Sequence, residues 1–261
     1  MKEYGMTSIA PTVSKLLGIR PPKQNTGSVI TEIVDDMGHQ DKVAVLVLDA
    51  FGVSTWKRVQ ALTPNFNKLA DSRLLHIRSV MPAITPVNFS TMMTGAPSDV
   101  HVIRDRSEML TIETLFHVLA ESSMKSAAAG RAKSTVGMLL MRFAEIKCVA
   151  ASDTDEEVTR LAVKTIKDEC PPFFLIHLLD VDDTGHRSGV EGNEMEKAAE
   201  AADYHLGEVI LQLAESGYGL LVLADHGAHQ IGDKGTHDGS TQDDLIVPLV
   251  WGNNHRLSEI A

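Results

Sequence analysis

The sequence predicts an α/β domain, a three-layer sandwich in which a mostly parallel β-sheet lies between two layers of helices. Short apolar runs rich in β-branched residues, such as 42–48 and 218–224, are typical of strands that are buried on both faces. Amphipathic segments with helical spacing, such as 155–167, lie between these runs. Because alternating strands and helices favour parallel pairing, the pattern predicts this fold class. A chain of 261 residues with 43% hydrophobic content can form such a domain with a sizeable core.

The helices and strands can be assigned in order from apolar spacing and from helix start and stop signals. The first helix, 8–18, has Ser8 as its cap, Pro11 in its first turn and Gly18 as its stop. Further helices are predicted at 62–70, 112–120, 155–167 and 195–215. Strands are predicted at 42–48, 74–80, 126–129, 146–150, 172–179, 218–224 and 245–250, with loops at 180–186 and 235–239. We therefore expect one domain over 1–261, with an N-terminal helix segment at 1–22 and a core at 43–252.

The composition disfavours several classes of protein. A formal net charge of -11 argues against broad binding to nucleic acids or anionic membranes, although a small anionic substrate is compatible with local cations such as metal ions. The sequence shows no run long enough to span a bilayer and no apolar signal core after its first residues, so we expect a cytoplasmic protein. Two cysteines, Cys148 and Cys170, give no disulfide framework and are expected to be reduced. The sequence leaves open whether the chain forms a homo-oligomer.

The stretch from Pro82 to Gly95 contains the residue around which we expect the functional site to form. It begins with a helix breaker, ends with a helix stop and is compatible with a short helix between them. Pro86 is tolerated in a first turn, so Thr85 is the expected N-cap. A hydroxyl at that position faces unpaired backbone N–H groups and the positive end of the helix dipole, which suits a phosphate. The alternative is a threonine that only caps a small helix.

Acidic side chains follow three of the predicted strands: Asp49, Asp182 and Asp225. Because parallel strands place their carboxyl ends at one edge of the sheet, these carboxylates are expected to converge there. Taken singly each is an ordinary loop acid or helix cap, but a cluster of like charges is costly without cations. Mixed carboxylate and imidazole ligands suit zinc, manganese or iron, and there are enough of them for two metal ions. The accompanying histidines are His186, His226 and His237.

Five short motifs occur in a fixed order between Val43 and Gly252. They are Asp49-Ala50-Phe51-Gly52, Thr85-Pro86-Val87-Asn88, Asp182-Asp183-Thr184-Gly185-His186, Asp225-His226-Gly227 and Gly235-Thr236-His237. Each motif is weak alone, but the ordered set is specific. It resembles the successive motifs of the alkaline phosphatase superfamily, and in particular its nucleotide pyrophosphatase/phosphodiesterase branch.

The resemblance implies a site with two divalent metal ions. Zinc is the expected metal, and manganese is the alternative. Asp182, His186 and His237 would hold one ion, and Asp49, Thr85, Asp225 and His226 would hold the other. Thr85 would be the nucleophile, since metal coordination activates an otherwise weak hydroxyl, and a phosphothreonine intermediate would form and be hydrolysed. Asn88 would bind a non-bridging phosphoryl oxygen, and the alternative role for it is a buried hydrogen bond within the helix.

The expected activity is therefore hydrolysis of phosphodiester or pyrophosphate bonds, including those of nucleotides. A phosphomonoesterase, a sulfatase or a phosphonate hydrolase of the same superfamily would use the same ligands. A protein of a different class, which binds metal or nucleotide without catalysis, is the second alternative. The expected partner is a small anionic phosphate ester.

The sequence departs from the family pattern in two places. Only one predicted helix and one strand separate His186 from Asp225, which leaves no room there for the cap domain of the related phosphomutases. The segment from Ser8 to Gly18 resembles one that many relatives carry after their last core strand. Its position at the start of this chain implies a permutation or an exchange between subunits, unless the similarity is a chance helix start.

The remaining histidines are expected to be structural or surface residues, with His229 the nearest to the site: His39, His76, His101, His117, His177, His205, His229 and His255. Four basic residues could meet a second phosphate or a base of the substrate, although solvated surface is the more ordinary role for each of them: Arg104, Arg106, Arg131 and Lys133.

Overall fold

The computed structural model describes residues 4–261 and contains a central seven-stranded sheet. Its strands are β1 Val43–Leu48, β2 Leu74–Arg78, β3 Ser126–Arg131, β4 Ile146–Ala150, β5 Phe173–Leu178, β6 Gly219–Leu223 and β9 Ile246–Gly252. They are arranged in the order β2-β9-β6-β1-β5-β3-β4. A separate hairpin is formed by β7 His229–Ile231 and β8 Lys234–Thr236.

The strands β6, β1, β5, β3 and β4 pair in parallel, which confirms the predicted mostly parallel sheet. Strand β9 runs antiparallel to both of its neighbours, β6 and β2. Its apolar sequence gives no sign of this direction, because central strands of either orientation are buried on both faces. The parallel strands β1 and β5 are buried at every position.

Helices form a layer on each side of the sheet. Their bounds are α1 Ile9–Leu16, α2 Thr31–Met37, α3 Val53–Val59, α4 Pro64–Ala70, α5 Thr85–Thr94, α6 Ser98–His101, α7 Leu115–Glu121, α8 Asp155–Asp168, α9 Asp180–Ser188, α10 Asn193–Ser216, α11 Gln242–Leu245 and α12 Asn254–Ile260. Helix α10 packs against α4, α8, α9 and α12, whereas α5 packs against α1 and α7. Across residues 4–261 we find no helix that is both long and apolar enough to cross a membrane.

The segment between His186 and Asp225 holds only the end of α9, helix α10 and strand β6, as predicted. The segment that was predicted to be the loop after β5 is instead helix α9, so this expectation was wrong. Asp155, at the start of α8, accepts hydrogen bonds from the backbone N–H groups of Leu179 and Asp180, at 2.9 and 2.8 Å. A carboxylate from another helix thus caps α9, and such a cap is invisible to a reading of the local sequence.

The described part of the N-terminal segment, from residue 4 onward, packs against the helical layer of its own chain. Helix α1 contacts α2 and α5, and Leu16 and Leu17 are buried. In the linker that follows this segment, the backbone N–H of Thr26 donates to the carbonyl of Gly95, at 2.9 Å, just past the end of α5. The segment therefore supports, within one chain, the helix that begins at Thr85.

Candidate metal centre

A first group of acidic and imidazole side chains lies at the carboxyl ends of two neighbouring strands. Asp49 follows β1, and Asp225 and His226 follow β6. All three are at most 1% exposed. The Nε2 atom of His226 lies 3.4 Å from Oδ1 of Asp49 and 3.3 Å from Oδ2 of Asp225. We call these three residues the inner cluster.

Each carboxylate of the inner cluster has one oxygen that is hydrogen-bonded and one that is not. Oδ2 of Asp49 accepts from Nε2 of His177 at 2.8 Å, and Oδ1 of Asp225 accepts from the backbone N–H of Ala50 at 3.3 Å. The other two oxygens, Oδ1 of Asp49 and Oδ2 of Asp225, are buried and have no hydrogen-bond partner within residues 4–261. Because an unpaired buried carboxylate oxygen is costly, this pair of atoms suits a bound cation.

A second group, the outer cluster, consists of Asp182, His186 and His237. Asp182 and His186 are four residues apart on α9, which places them on one face of that helix. His237 follows β8. The Nε2 atoms of the two histidines are 3.0 Å apart, and they lie 3.4 and 3.5 Å from Oδ1 of Asp182. The His186 side chain is 48% exposed, so this cluster is open to solvent.

The three histidines of these clusters are held in the same way. Nδ1 of His226 lies 3.0 Å from the carbonyl oxygen of Gly227, that of His237 lies 2.8 Å from Ala83, and that of His186 lies 3.3 Å from Gly235. These carbonyls assign the ring proton to Nδ1 in each case, because a carbonyl oxygen can only accept. Each Nε2 lone pair is thereby directed into its cluster, as in histidines that bind metal ions.

The spacing of the donor atoms also fits metal binding. Ligands bound tetrahedrally at the usual zinc distances lie about 3.4 Å from one another, close to the 3.0 to 3.5 Å found in the two clusters. The clusters adjoin, since the rings of His226 and His237 stack with their centroids 3.8 Å apart. The residues predicted as metal ligands are thus brought together as two adjacent sets.

Thr85 is the first residue of α5 and lies at the inner cluster. Its Oγ1 atom is 3.2 Å from Nε2 of His226. The prediction that Thr85 is the N-cap was wrong, because Ile84 occupies that position and no side chain caps the helix. The hydroxyl is therefore free of the structural role that a capping threonine would give it.

Asn88 does not reach the site as a donor. It is fully buried, and its Oδ1 accepts from the backbone N–H of Val80 at 2.8 Å. Its Nδ2 donates to the carbonyls of Val80 and Ile84, at 3.4 and 3.2 Å. Both amide protons of Asn88 are therefore used within the chain, and none is left for the predicted contact with a phosphoryl oxygen. Asn88 instead joins α5 to the loop that precedes Thr85.

Burial shifts the ionisation of the inner cluster. Desolvation raises the pKa of Asp49 well above its usual range, with the Asp225 carboxylate adding to the effect. Desolvation also raises the pKa of Asp225 to about 6 and lowers that of His226 to about 3. All three shifts favour the neutral form of the side chain, because a charge is poorly solvated there. A cation between these groups would instead favour the ionised carboxylates.

This electrostatic cost gives a prediction for the metal-free protein. Asp225→Asn should raise its melting temperature at about pH 8, because a pKa raised from 3.8 to about 6 corresponds to about 3 kcal/mol against the charged form. The carboxyl stabilises the folded state below pH 3.8 and loses this contribution as the pH rises through about 6. The advantage of the variant should therefore vanish near pH 4.

Thermal unfolding in the presence of a chelator, followed from about pH 4 to about pH 8, measures this difference. Added zinc should reverse the order, since only the wild type keeps the charged ligand. Equal stability of the two metal-free proteins at the higher pH would contradict the assignment of a buried, uncompensated charge to Asp225.

His177 is a site residue that the sequence reading placed among the structural or surface histidines. It lies on β5 beside β1, is fully buried, and its Nε2 donates to Asp49. Its ring also packs on that of Phe89 in α5, with the centroids 4.4 Å apart. It therefore orients a predicted ligand and contacts the helix that carries Thr85. The available signal was an imidazole inside an otherwise apolar strand.

A third group of possible ligands, His229, Asp238 and Asp244, lies next to the outer cluster. Here Nδ1 of His229 is only 2.7 Å from Oδ1 of Asp244. That distance is shorter than the spacing of two ligands on one ion and typical of a charge-assisted hydrogen bond. We therefore assign this group to hydrogen bonding and not to metal binding.

The basic residues considered in the sequence have different surroundings. Arg131 is buried and forms ion pairs with three carboxylates, those of Asp155, Asp180 and Asp183. Arg106 and Lys133 line a pocket of about 240 Å³ that Asp183 also borders. Asp183 follows the ligand Asp182 in α9, but none of the six cluster residues lines this pocket. Arg104 hydrogen-bonds to the carbonyls of Ser98 and Ile103.

The fold and the two adjacent clusters define a metalloenzyme of the alkaline-phosphatase-like type. The family model described as Metalloenzyme superfamily matches residues 41–256, and the chain belongs to this superfamily. The resemblance that the five motifs suggested is thus confirmed at the level of the family.

Several characterised proteins are similar to this chain. Venom phosphodiesterase CdcPDE of Crotalus durissus collilineatus is 25% identical in an alignment of 221 positions that covers 74% of this chain and 27% of that protein. The venom phosphodiesterase of Macrovipera lebetinus is also 25% identical, over 74% of this chain and 26% of its own length. The chain thus spans about a quarter of the length of these curated relatives.

Solved structures show the same fold at lower identity. Murine ectonucleotide pyrophosphatase / phosphodiesterase 5 superposes with a TM-score of 0.61 and 19% identity, over 73% of this chain and 58% of that one. Phosphonoacetate hydrolase from Sinorhizobium meliloti gives 0.56 and 18%, over 72% and 57%. The periplasmic domain of EptC from Escherichia coli, in complex with Zn, gives 0.58 and 13%, over 85% and 76%.

Proposed function

We propose that this chain is a metal-dependent hydrolase of phosphodiester or pyrophosphate bonds, with nucleotides among its substrates, and that Thr85 is its nucleophile. The observation that carries the proposal is the position of the Thr85 hydroxyl. It lies at a helix N-terminus and makes no capping hydrogen bond. It is 3.2 Å from Nε2 of His226 in the inner cluster, and the ring of His226 stacks on His237 of the outer cluster.

Each of the two clusters fits one divalent ion, because their donors are carboxylate oxygens and imidazole nitrogens. Zinc is the metal we propose for both, and manganese is the alternative. Asp49, Asp225, His226 and Thr85 would hold one ion, and Asp182, His186 and His237 the other. When bound, the ions would lower the pKa of the attacking hydroxyl and balance the charge that develops on the attacking and leaving oxygens. The buried, unpaired oxygens of Asp49 and Asp225 support this assignment.

The residues of the chain would then perform the displacement as follows. Oγ1 of Thr85 forms a bond to phosphorus while the bond from phosphorus to the leaving oxygen breaks, and the hydroxyl proton is released to solvent. The product is a phosphothreonine that still carries the remaining ester group of the substrate, and water then breaks its bond to Oγ1, which restores the hydroxyl and releases a phosphomonoester. The N-terminus of α5 favours the negative charge of the phosphoryl group, because first-turn N–H groups and the helix dipole point toward it.

The preference for diesters and pyrophosphates rests on similarity to proteins with those names. The curated relatives are venom phosphodiesterases, and one structural neighbour is an ectonucleotide pyrophosphatase / phosphodiesterase solved also in complex with AMP. A small anionic phosphate ester is the substrate class that these features support.

Turnover of two chromogenic esters tests the proposal. With zinc or manganese added, the protein should hydrolyse bis-p-nitrophenyl phosphate faster than p-nitrophenyl phosphate, and a chelator should abolish both reactions. A clear preference for the monoester would contradict the proposed diesterase activity and would identify the protein as a phosphomonoesterase. Metal binding without turnover of either ester would instead identify a non-catalytic binding protein.

A further inference from the structure

The loops that carry the predicted ligands meet at the segment 243–245. The backbone N–H of Gly227, next to His226, donates to the carbonyl of Asp244 at 2.8 Å. The approach is so close that a Cβ atom on Gly227 would lie 1.9 Å from the carbonyl oxygen of Asp243. The N–H of Ser79, in the loop toward Thr85, donates to the carbonyl of Leu245 at 2.9 Å.

The carboxylate of Asp244 extends these contacts to the second ligand loop. Its side chain is fully buried. Oδ2 accepts from the backbone N–H groups of Asp238 and Gly239, at 3.3 and 2.9 Å, which directly follow His237. Oδ1 accepts from Nδ1 of His229 at 2.7 Å.

The hydrogen bonding of Asp244 separates it from the predicted ligands. Both of its oxygens are used by donors of the chain, whereas Asp49 and Asp225 each keep one buried oxygen without a partner within residues 4–261. A carboxylate whose two oxygens both accept hydrogen bonds from the chain is suited to fixing a backbone loop and not to binding an ion.

We infer that Asp244 is a positioning residue that sets the separation of the two metal clusters. It is hydrogen-bonded to the residue after the inner ligand His226 and to the two residues after the outer ligand His237. A change in its side chain alters the placement of His237 relative to His226, while leaving every ligand in the chain. This inference deepens the proposed function and depends on its two metal sites.

Asp244→Asn tests the role with little change in volume. The amide replaces one acceptor oxygen by an NH₂ group. If that group faces Asp238 and Gly239, donors meet donors and both hydrogen bonds are lost. If it faces His229, the hydrogen bond persists only with the ring proton moved from Nδ1 to Nε2, and in either case the charge of the carboxylate is lost. Residues that orient metal ligands typically change metal affinity about 10- to 100-fold when they are replaced. We expect a loss of that size in the affinity of the metal-free chain for Co²⁺.

Asp203→Asn is the matched control. Asp203 is also a buried aspartate, 3% exposed, whose carboxylate accepts from two backbone N–H groups, those of Asn65 and Phe66, at 3.0 and 2.8 Å. It joins α10 to α4, and within residues 4–261 its side-chain hydrogen bonds run to α4 and not to a ligand loop. Its replacement should lower the melting temperature by a similar amount but leave Co²⁺ affinity within about twofold of the wild type.

The measurement is a titration of each metal-free protein with Co²⁺, followed by visible absorption and paired with a melting curve. Wild-type affinity in Asp244→Asn, or an equal loss in Asp203→Asn, would overturn the inference. If the wild type itself binds no Co²⁺, the proposed metal sites fail, and this result is distinct from failure of the positioning role.

A second pair of variants covers the case in which Asp244→Asn does not fold. His229→Ala removes only the hydrogen bond to Oδ1, and we expect a smaller loss of Co²⁺ affinity. His229→Asn keeps an N–H donor near the position of Nδ1 and should restore most of that affinity. Equal affinities in the two His229 variants and the wild type would contradict a role of Asp244 in setting the clusters.

Discussion

Thr85→Ala is expected to lower kcat/KM by about three orders of magnitude or more, because it removes the attacking oxygen while leaving the carboxylate and imidazole ligands in place. Thr85→Ser should keep measurable activity, since it retains the oxygen and loses only a methyl group. The hydroxyl makes no capping hydrogen bond to α5, so the melting temperature should change little in either variant. Turnover at saturating metal, measured together with thermal unfolding, separates these effects.

The chain offers a matched control for this experiment in Thr63. Thr63 also precedes a proline at the start of a helix, α4, and it is buried. Its hydroxyl donates to the carbonyl of Gln60 at 3.3 Å, away from both clusters. Thr63→Ala should therefore leave kcat/KM essentially unchanged. Near-native turnover in Thr85→Ala would remove the covalent mechanism from the proposal.

Loss of a ligand from the outer cluster is expected to have the second large effect. The wild type should bind two divalent ions per chain, and His237→Ala should bind one, because only Asp182 and His186 remain in its cluster. Turnover should fall by about two orders of magnitude or more, since one of two cooperating ions is lost. Elemental analysis of dialysed, zinc-reconstituted protein gives the stoichiometry.

His255→Ala is the control for the metal measurement. His255 is exposed on α12 and belongs to neither cluster, so this variant should bind as much zinc as the wild type. A wild-type stoichiometry of one ion or fewer, unchanged by His237→Ala, would contradict the assignment of two sites.

The positions of the strands and the identity of the predicted metal ligands could be predicted from the sequence for the same reason. Strands such as β1 are buried on both faces and appear as continuous apolar runs, and the acid that ends such a run stands out. Once the sheet is taken to be parallel, Asp49 and Asp225 must meet at one edge. The ordered motifs added the histidines, and the structure gathers all of these side chains into two sets.

The supporting contacts could not be read in this way, because they join residues that are distant in the chain. The cap of α9 comes from Asp155, the partner of Asp49 is His177, and the loops of His226 and His237 are joined through Asp244. Each contact depends on tertiary packing and not on a local pattern. For Asn88 the sequence allowed two roles, a phosphoryl contact or a buried hydrogen bond, and it could not decide between them, because the partners of the side chain lie in the loop before α5.

The central claim is that Thr85 carries the phosphoryl group through a covalent intermediate. The most direct test is the stereochemical course of hydrolysis at phosphorus, with a chiral phosphorothioate diester of p-nitrophenol as the substrate and isotopically labelled water as the solvent. Each in-line displacement inverts the configuration at phosphorus. Transfer to Thr85 followed by hydrolysis therefore predicts net retention. Net inversion would show that water attacks the substrate directly, and it would contradict the role of Thr85 as the nucleophile.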